Sequence, residues 1–254
     1  MPQICVNDGG ATSLIELSEV PILERPTGLT SAGGRALDVW RARPGEIVTA
    51  RDPVGCWYRA RLVERGTDAV IIPFQRLEKA PESDMRLVVC QALPAKERFE
   101  LILQKLTELG VSRIVPYVSR RSTDLAGRDS GQKKSHRWPD VLLRAARQCR
   151  RGLVPELATV AGWQEMLEEG EGADCKLLLY EGETSLSLSQ TLGGRSPRRV
   201  VLTVGPEGGF TAEEANDARA AGFAAVSLGP RILRTETAAI VGAALVQHLA
   251  GDLT

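Results

Sequence analysis

Histidine is almost missing from this chain of 254 residues, which has two, His136 and His248. Neither belongs to a Ser-His-Asp arrangement or to a cluster with metal-ligand spacing, so triad hydrolysis and zinc chemistry have no scaffold here. Paired acids with glycosidase spacing are also absent. The five cysteines, Cys5, Cys56, Cys90, Cys149 and Cys175, are odd in number, and none forms a CxxC. That excludes a disulfide framework and predicts a reducing, cytoplasmic setting with no bound metal. No apolar run approaches the ~18 residues of a membrane span. The first residues, MPQICVNDGG, lack a basic region followed by an apolar one, so no signal peptide is expected. Net charge is missing as well, with 32 Lys and Arg against 32 Asp and Glu.

The zero conceals a strong local imbalance. Residues 95–151 hold 14 basic and 6 acidic residues, residues 152–254 hold 7 and 14, and the first 80 balance at 10 and 10. A basic middle can attract polyanions that the total hides, although a solvated helix face would give the same counts.

Two patterns divide the chain. Residues 1–80 read as β: Glu46–Ala50, Trp57–Glu64 and Asp68–Phe74 are short and broken by Gly, Pro and Asp. Only Ala36–Arg41 hints at a helix. The polar stretch Lys79–Asp84 carries a proline and marks a linker, so a small β-barrel at 1–80 should precede a second domain at 85–254. There strands alternate with helices. Leu87–Leu93, Arg113–Val118, Lys176–Tyr180, Arg199–Val204 and Ala224–Leu228 are apolar strand candidates. Lys96–Leu109 has Phe99, Ile102, Leu103, Leu106 and Leu109 at helical spacing before Gly110. Trp138, Val141, Leu142, Ala145 and Cys149 form another stripe, whose far side is Arg137, Arg144, Arg147 and Arg151. Asp124–Ser135 reads as a mobile polar loop. The alternation predicts an α/β domain with a mostly parallel sheet and helices on both faces.

In such sheets ligands sit beyond the carboxyl ends of the strands. Gly205-Pro-Glu-Gly-Gly209 follows one strand and precedes a capping box, Thr211-Ala-Glu-Glu214. It is neither a P-loop nor GxGxxG, so the glycines alone fit a tight turn as well as a ligand cradle. The arrangement recurs at Leu228–Thr237, where Arg231 and Arg234 flank an apolar pair, suiting a polar or anionic ligand. The helix beyond, Ala238–Leu249, is apolar or small on every side. That predicts burial all round, either within the chain alone or with help from a second subunit. Backbone, arginines and no acid–base machinery suggest that a cofactor supplies an activated group.

VGPEGGF at 204–210 with LGPRILRTET at 228–237 resembles the ribosomal RNA small subunit methyltransferase E family of the knotted SPOUT class. Gln91-Ala-Leu-Pro-Ala-Lys96 and Gln104-Lys-Leu-Thr-Glu-Leu-Gly-Val111 extend the resemblance, which covers residues 87–254 well and the first domain weakly. It departs from the family pattern at Arg35, Trp40, Arg144, Arg147 and Cys149. The resemblance implies a PUA-like N-terminal barrel, a trefoil-knotted methyltransferase domain, a homodimer, and S-adenosylmethionine as cofactor. Its implied reaction is methylation of uridine N3 in the 16S rRNA of the 30S small ribosomal subunit. Carried over, the cofactor pocket comprises Leu179, Tyr180 and Glu181, then Thr203, Val204, Gly205, Pro206, Glu207, Gly208 and Gly209, then Leu228, Gly229, Ile232, Leu233 and Thr237. Arg234 would meet the base, with Glu236 or Glu207 assisting proton removal. The expected RNA contacts are Arg41, Lys96, Lys105, Arg120, Arg121, Arg144, Arg147 and Arg151. Its rivals are a knotted enzyme acting on tRNA or another rRNA site, an RNA-binding protein that keeps the fold without catalysis, and a nucleotide-using metabolic enzyme.

Overall fold

The computed structural model describes residues 7, 9–66, 68–94, 96–122, 137–183, 186–249 and 252–253; the predicted loop at 124–135 lies outside them. The chain forms two compact units. One comprises Asn7–Ser83 and Leu143–Glu156, and the other Asp84–Leu142 and Leu157–Thr254. The segment Leu143–Glu156, whose helical stripe reads from sequence as part of the second domain, thus belongs with the first 83 residues.

In the N-terminal unit, β1 (Thr27–Gly28), β2 (Ile47–Arg51), β3 (Trp57–Glu64) and β4 (Val70–Arg76) form an antiparallel sheet in the order β1-β4-β3-β2. The period of two places Tyr58, Ala60 and Leu62 in the core, while Arg61 and Val63 lie exposed. A helix, α1 (Ser31–Val39), starts earlier than the sequence suggests. Thr30 caps it through its side chain, which accepts from Gly33 N at 3.0 Å. Gly33 and Gly34 hide this helix from a propensity reading.

The C-terminal unit is built on a six-stranded sheet. Its strands are β5 (Arg86–Ala92), β6 (Arg113–Tyr117), β7 (Glu156–Leu157), β8 (Cys175–Leu179), β9 (Arg199–Val204) and β10 (Ala224–Val226), ordered β10-β8-β9-β5-β6-β7. The pairs from β10 to β6 are all parallel. Between the strands run α2 (Lys96–Glu108), the first residues of α3 (Trp138–Gln148), whose remainder from Leu143 is counted with the N-terminal unit, α4 (Trp163–Glu168), α5 (Leu188–Leu192), α6 (Ala212–Ala220) and the terminal α7 (Thr235–Leu249). Both faces of the sheet are covered. Val88, Cys90, Leu178 and Val201 pack with Met166 of α4 and with Ala215 and Ala218 of α6. On the opposite face α7 contacts β5, β9, α2 and α5. Each fully buried aliphatic side chain in these layers is worth about 1.5–3 kcal/mol.

Gly242 explains how closely α7 lies on the sheet. A Cβ there would stand 2.8 Å from Leu179 Cδ1 and 3.2 Å from Leu202 Cδ2. Burial of α7 within the chain alone is partial, and the alternative of help from a second subunit stays open. One stripe, Thr235, Ala239, Gly242, Ala243, Val246 and Gln247, is buried, but Leu245 is 38 % exposed, and Val241 and Ala244 are only half-buried. Packing within one chain satisfies one side of this helix and leaves an apolar side uncovered.

Candidate active site

Three strand ends, those of β8, β9 and β10, lead into the loops singled out by sequence. Loop 179–181 is joined to β10 by the Tyr180 N–H, which donates to the Val226 carbonyl at 3.1 Å. Loop 228–233 follows β10. These two loops line a small cavity of about 100 Å³, with residues 179–181, 226–233 and Ala238 around it. The sequence reading missed Val226 and Ala238, whose only signal is that they continue the apolar runs on either side of the loop. The N–H groups of Leu228, Arg231, Ile232 and Leu233 make no hydrogen bond with a described residue. Apolar side chains beside bare backbone donors suit part of an adenosine, the cavity being smaller than a whole small molecule needs. Ile232, 86 % exposed, offers an apolar cover from the same loop.

Loop 204–209 does not line this cavity, but it meets the first loop. Gly209 adopts φ 66°, and a Cβ there would run into the Glu181 carboxylate. The loop is held from four directions. Tyr117 Oη donates to the Val204 carbonyl at 3.0 Å, and Thr235 Oγ1 donates to the Gly205 carbonyl at 2.6 Å. Arg121 donates to the Gly208 carbonyl at 2.8 Å, and Arg98 pairs with Glu207 at 3.1 Å. Burial pushes the Tyr117 hydroxyl well above its ordinary pKa, so it stays a donor. Gln91, fully buried at the end of β5, donates to Thr235 Oγ1 at 3.0 Å and is a positioning residue that sequence reasoning did not single out. Its signal was a lone amide in an apolar strand.

Replacing Gly209 with alanine should therefore cost about 1–2 kcal/mol of backbone strain and weaken S-adenosylmethionine binding several-fold in a calorimetric titration. Unchanged affinity would show that this loop does not shape the pocket.

The other expected residues divide. Arg234 is exposed at the entrance to α7, and its carbonyl accepts from Ala238 N at 2.8 Å. Glu236 carries a buried carboxylate oxygen, Oε2, without a partner. Glu207 is tied to Arg98. Thr203 is not brought to the cavity, because its fully buried hydroxyl faces Met166 Sδ at 3.5 Å on the other side of the sheet. Thr237 is half-buried on α7, outside the cavity lining.

Among the expected RNA contacts, Arg120 and Arg121 flank loop 204–209, and Arg120 pairs with Glu213 at 3.2 Å. Lys105 pairs with Glu108 at 2.8 Å. The Lys96 side chain lies outside what the structure describes. In the N-terminal unit, Arg41 and Arg144 are exposed. Arg147 donates to the carbonyls of Trp40 and Arg41. Arg151 is corrected: its side chain is 4 % exposed and paired to Glu82 at 2.6 Å. The helix ends at Gln148, and Arg150 turns the chain with φ 60°. Extending the helical stripe one turn further put Arg151 on the wrong side.

A sequence model of the RNA methyltransferase domain matches residues 81–247. The chain is 34 % identical over 216 residues to the ribosomal RNA small subunit methyltransferase E of Mycobacterium bovis, covering 82 % of this chain and 80 % of that one. The crystal structure of the protein of that name from Neisseria gonorrhoeae, bound to S-adenosylmethionine, superposes with a TM-score of 0.68 at 33 % identity, over 94 % of this chain and 98 % of the other. A Legionella pneumophila protein, also solved with bound S-adenosylmethionine, superposes at 0.63 and 28 % identity, covering 92 % and 97 %. With the glycine loops at the strand ends, these likenesses establish that the chain belongs to the ribosomal RNA small subunit methyltransferase E family.

Proposed function

We propose that this protein transfers the methyl group of S-adenosylmethionine to N3 of a uridine in 16S rRNA, acting as a homodimer in the cytoplasm. The observation that carries the reading is the meeting of loops 179–181 and 228–233 around a small cavity of mixed apolar and polar lining, with the exposed Arg234 next in the chain. When bound, the cofactor supplies an activated methyl group. The chain's own residues then position and polarise. The backbone of Leu228–Leu233 and the carboxylate of Glu181 would hold the adenosine.

Uridine N3 must lose its proton to become a nucleophile. Arginine stays protonated and cannot take it, but the Arg234 guanidinium can stabilise the negative charge that develops on the uracil oxygens. Glu236, with an unpartnered carboxylate oxygen beside it, is better placed to accept the proton than Glu207, which Arg98 already engages.

The sheet order β10-β8-β9 and the packing of the terminal helix back against β5 and β9 support a trefoil knot in residues 85–254. The uncovered side of α7 supports its pairing with a second copy. The antiparallel sheet of the first 80 residues supports a PUA-like RNA-binding domain. The test is incubation with small ribosomal subunits and cofactor, followed by nucleoside analysis of the RNA. N3-methyluridine is the expected product; a methyl group on any other nucleoside refutes the assignment.

A further inference from the structure

The N-terminal unit contains a cleft that methyl transfer does not use. Its volume is about 570 Å³, and its walls include Trp40, Thr49, Arg59, Phe74, Arg147 and Arg150. Pockets of about 300–1,000 Å³ suit small molecules, so the space accommodates one nucleotide and is far larger than a lone phosphate needs.

The cleft is assembled from a sheet and a turn. Thr49, Arg59 and Gln75 are cross-strand neighbours on β2, β3 and β4 and make a polar row. The turn after α3 lies beside that row. There the Arg150 carbonyl accepts from Arg59 at 2.8 Å and from Thr49 Oγ1 at 3.3 Å. The first bond fixes the Arg59 guanidinium on a wall that Arg150 also lines.

Their charge is not balanced from within. Arg151 is neutralised by Glu82, and Arg147 has Glu46 at 3.8 Å. Arg59 and Arg150 form no ion pair with a described residue. Burial, and then the nearby Arg150, lowers the pKa of Arg59. A cation held against both desolvation and a like charge is one that an incoming anion relieves. The ring of Phe74 is half-buried on the same cleft and offers a stacking face. Trp40 offers none, because it is 6 % exposed and its Nε1 is committed to the Ser13 carbonyl at 2.6 Å.

We infer that this cleft binds a single unstacked nucleotide of the RNA, its phosphate between Arg59 and Arg150 and its base against Phe74. This rests on RNA being the substrate, but not on which base is methylated. A base within a duplex cannot reach such a wall, so the strand bound here is single-stranded.

The test uses the full chain with an eight-residue oligouridylate, with inorganic phosphate as a separate probe. Arg150→Gly removes one guanidinium at a position whose φ of 60° suits glycine, so the melting temperature should hold or rise. Oligouridylate affinity should fall about tenfold, and the slope of log affinity against log salt should shrink by about 0.7, the value for one phosphate contact on a single strand. Gln75→Glu, which gives Arg59 an internal partner, should act in the same direction. Phe74→Leu should weaken oligouridylate binding without changing the salt slope. Affinity and slope unchanged in both Arg150→Gly and Gln75→Glu would overturn the inference. So would phosphate binding that responds to these variants while oligouridylate binding does not. If the wild type forms no N3-methyluridine yet loses oligouridylate with Arg150→Gly, the cleft stands and the proposed reaction falls; methylation with indifferent variants is the reverse.

Discussion

Replacing Arg234 with alanine is expected to abolish detectable methylation while S-adenosylmethionine still binds with its original affinity. Arg234 is exposed, touches no cavity wall, and contributes only its carbonyl to the start of α7. Its removal therefore leaves the cofactor loops as they are. What disappears is a fixed positive charge where the uracil anion would form. Removing one such donor commonly costs about 10²–10³ in turnover, and among the described residues no histidine stands at the start of α7 to substitute. Single-turnover assays with small ribosomal subunits, beside calorimetry with the cofactor, separate the two effects. Unchanged turnover would remove Arg234 from the mechanism, and lost cofactor binding would make it part of the pocket instead.

Glu82→Ala should produce the largest loss of stability. Glu82 accepts from the Arg151 guanidinium and from the backbone N–H groups of Gly152 and Leu153, at 2.8 and 3.0 Å. Its removal takes the carboxylate away from a buried cation and from two backbone donors. Breaking a buried pair from one side costs about 3–5 kcal/mol, readable as a lower denaturation midpoint in urea. A paired change, Glu82→Met with Arg151→Met, should recover most of it, because no charge is then left alone. A single variant as stable as the wild type would show that Arg151 finds water on its own.

The parts of this molecule that sequence disclosed are those governed by local rules. The Thr211 hydroxyl accepts from Glu214 N, and the Glu214 carboxylate accepts from Thr211 N, as a capping box requires. Gly110 takes φ 77° at the end of α2. Apolar runs became parallel strands within a residue or two. What stayed hidden depends on partners far along the chain. Arg151 reads as one more arginine in a basic stripe until Glu82, 69 residues away, turns out to hold it. Gln91 reads as part of an apolar strand and the start of a shared motif, yet its hydrogen bond reaches Thr235, 144 residues on. The start of α7 at Thr235 rather than Ala238 follows from the same contact, because the hydroxyl that clasps Gly205 fixes the first turn. The site was legible as loops; which loops were fastened and which were bare was not.

That difference has a thermodynamic consequence. Loop 204–209 arrives already ordered, so a ligand touching it gives up little conformational freedom. Loop 228–233, with its unspent N–H groups and the exposed Ile232, carries nearly all the ordering that binding demands. Amide exchange should be slow in loop 204–209 and fast in loop 228–233. Natural variation that tunes cofactor affinity without breaking the fold has room to accumulate in Leu228–Leu233, while loop 204–209 is fixed by obligations to β5, β6 and α7.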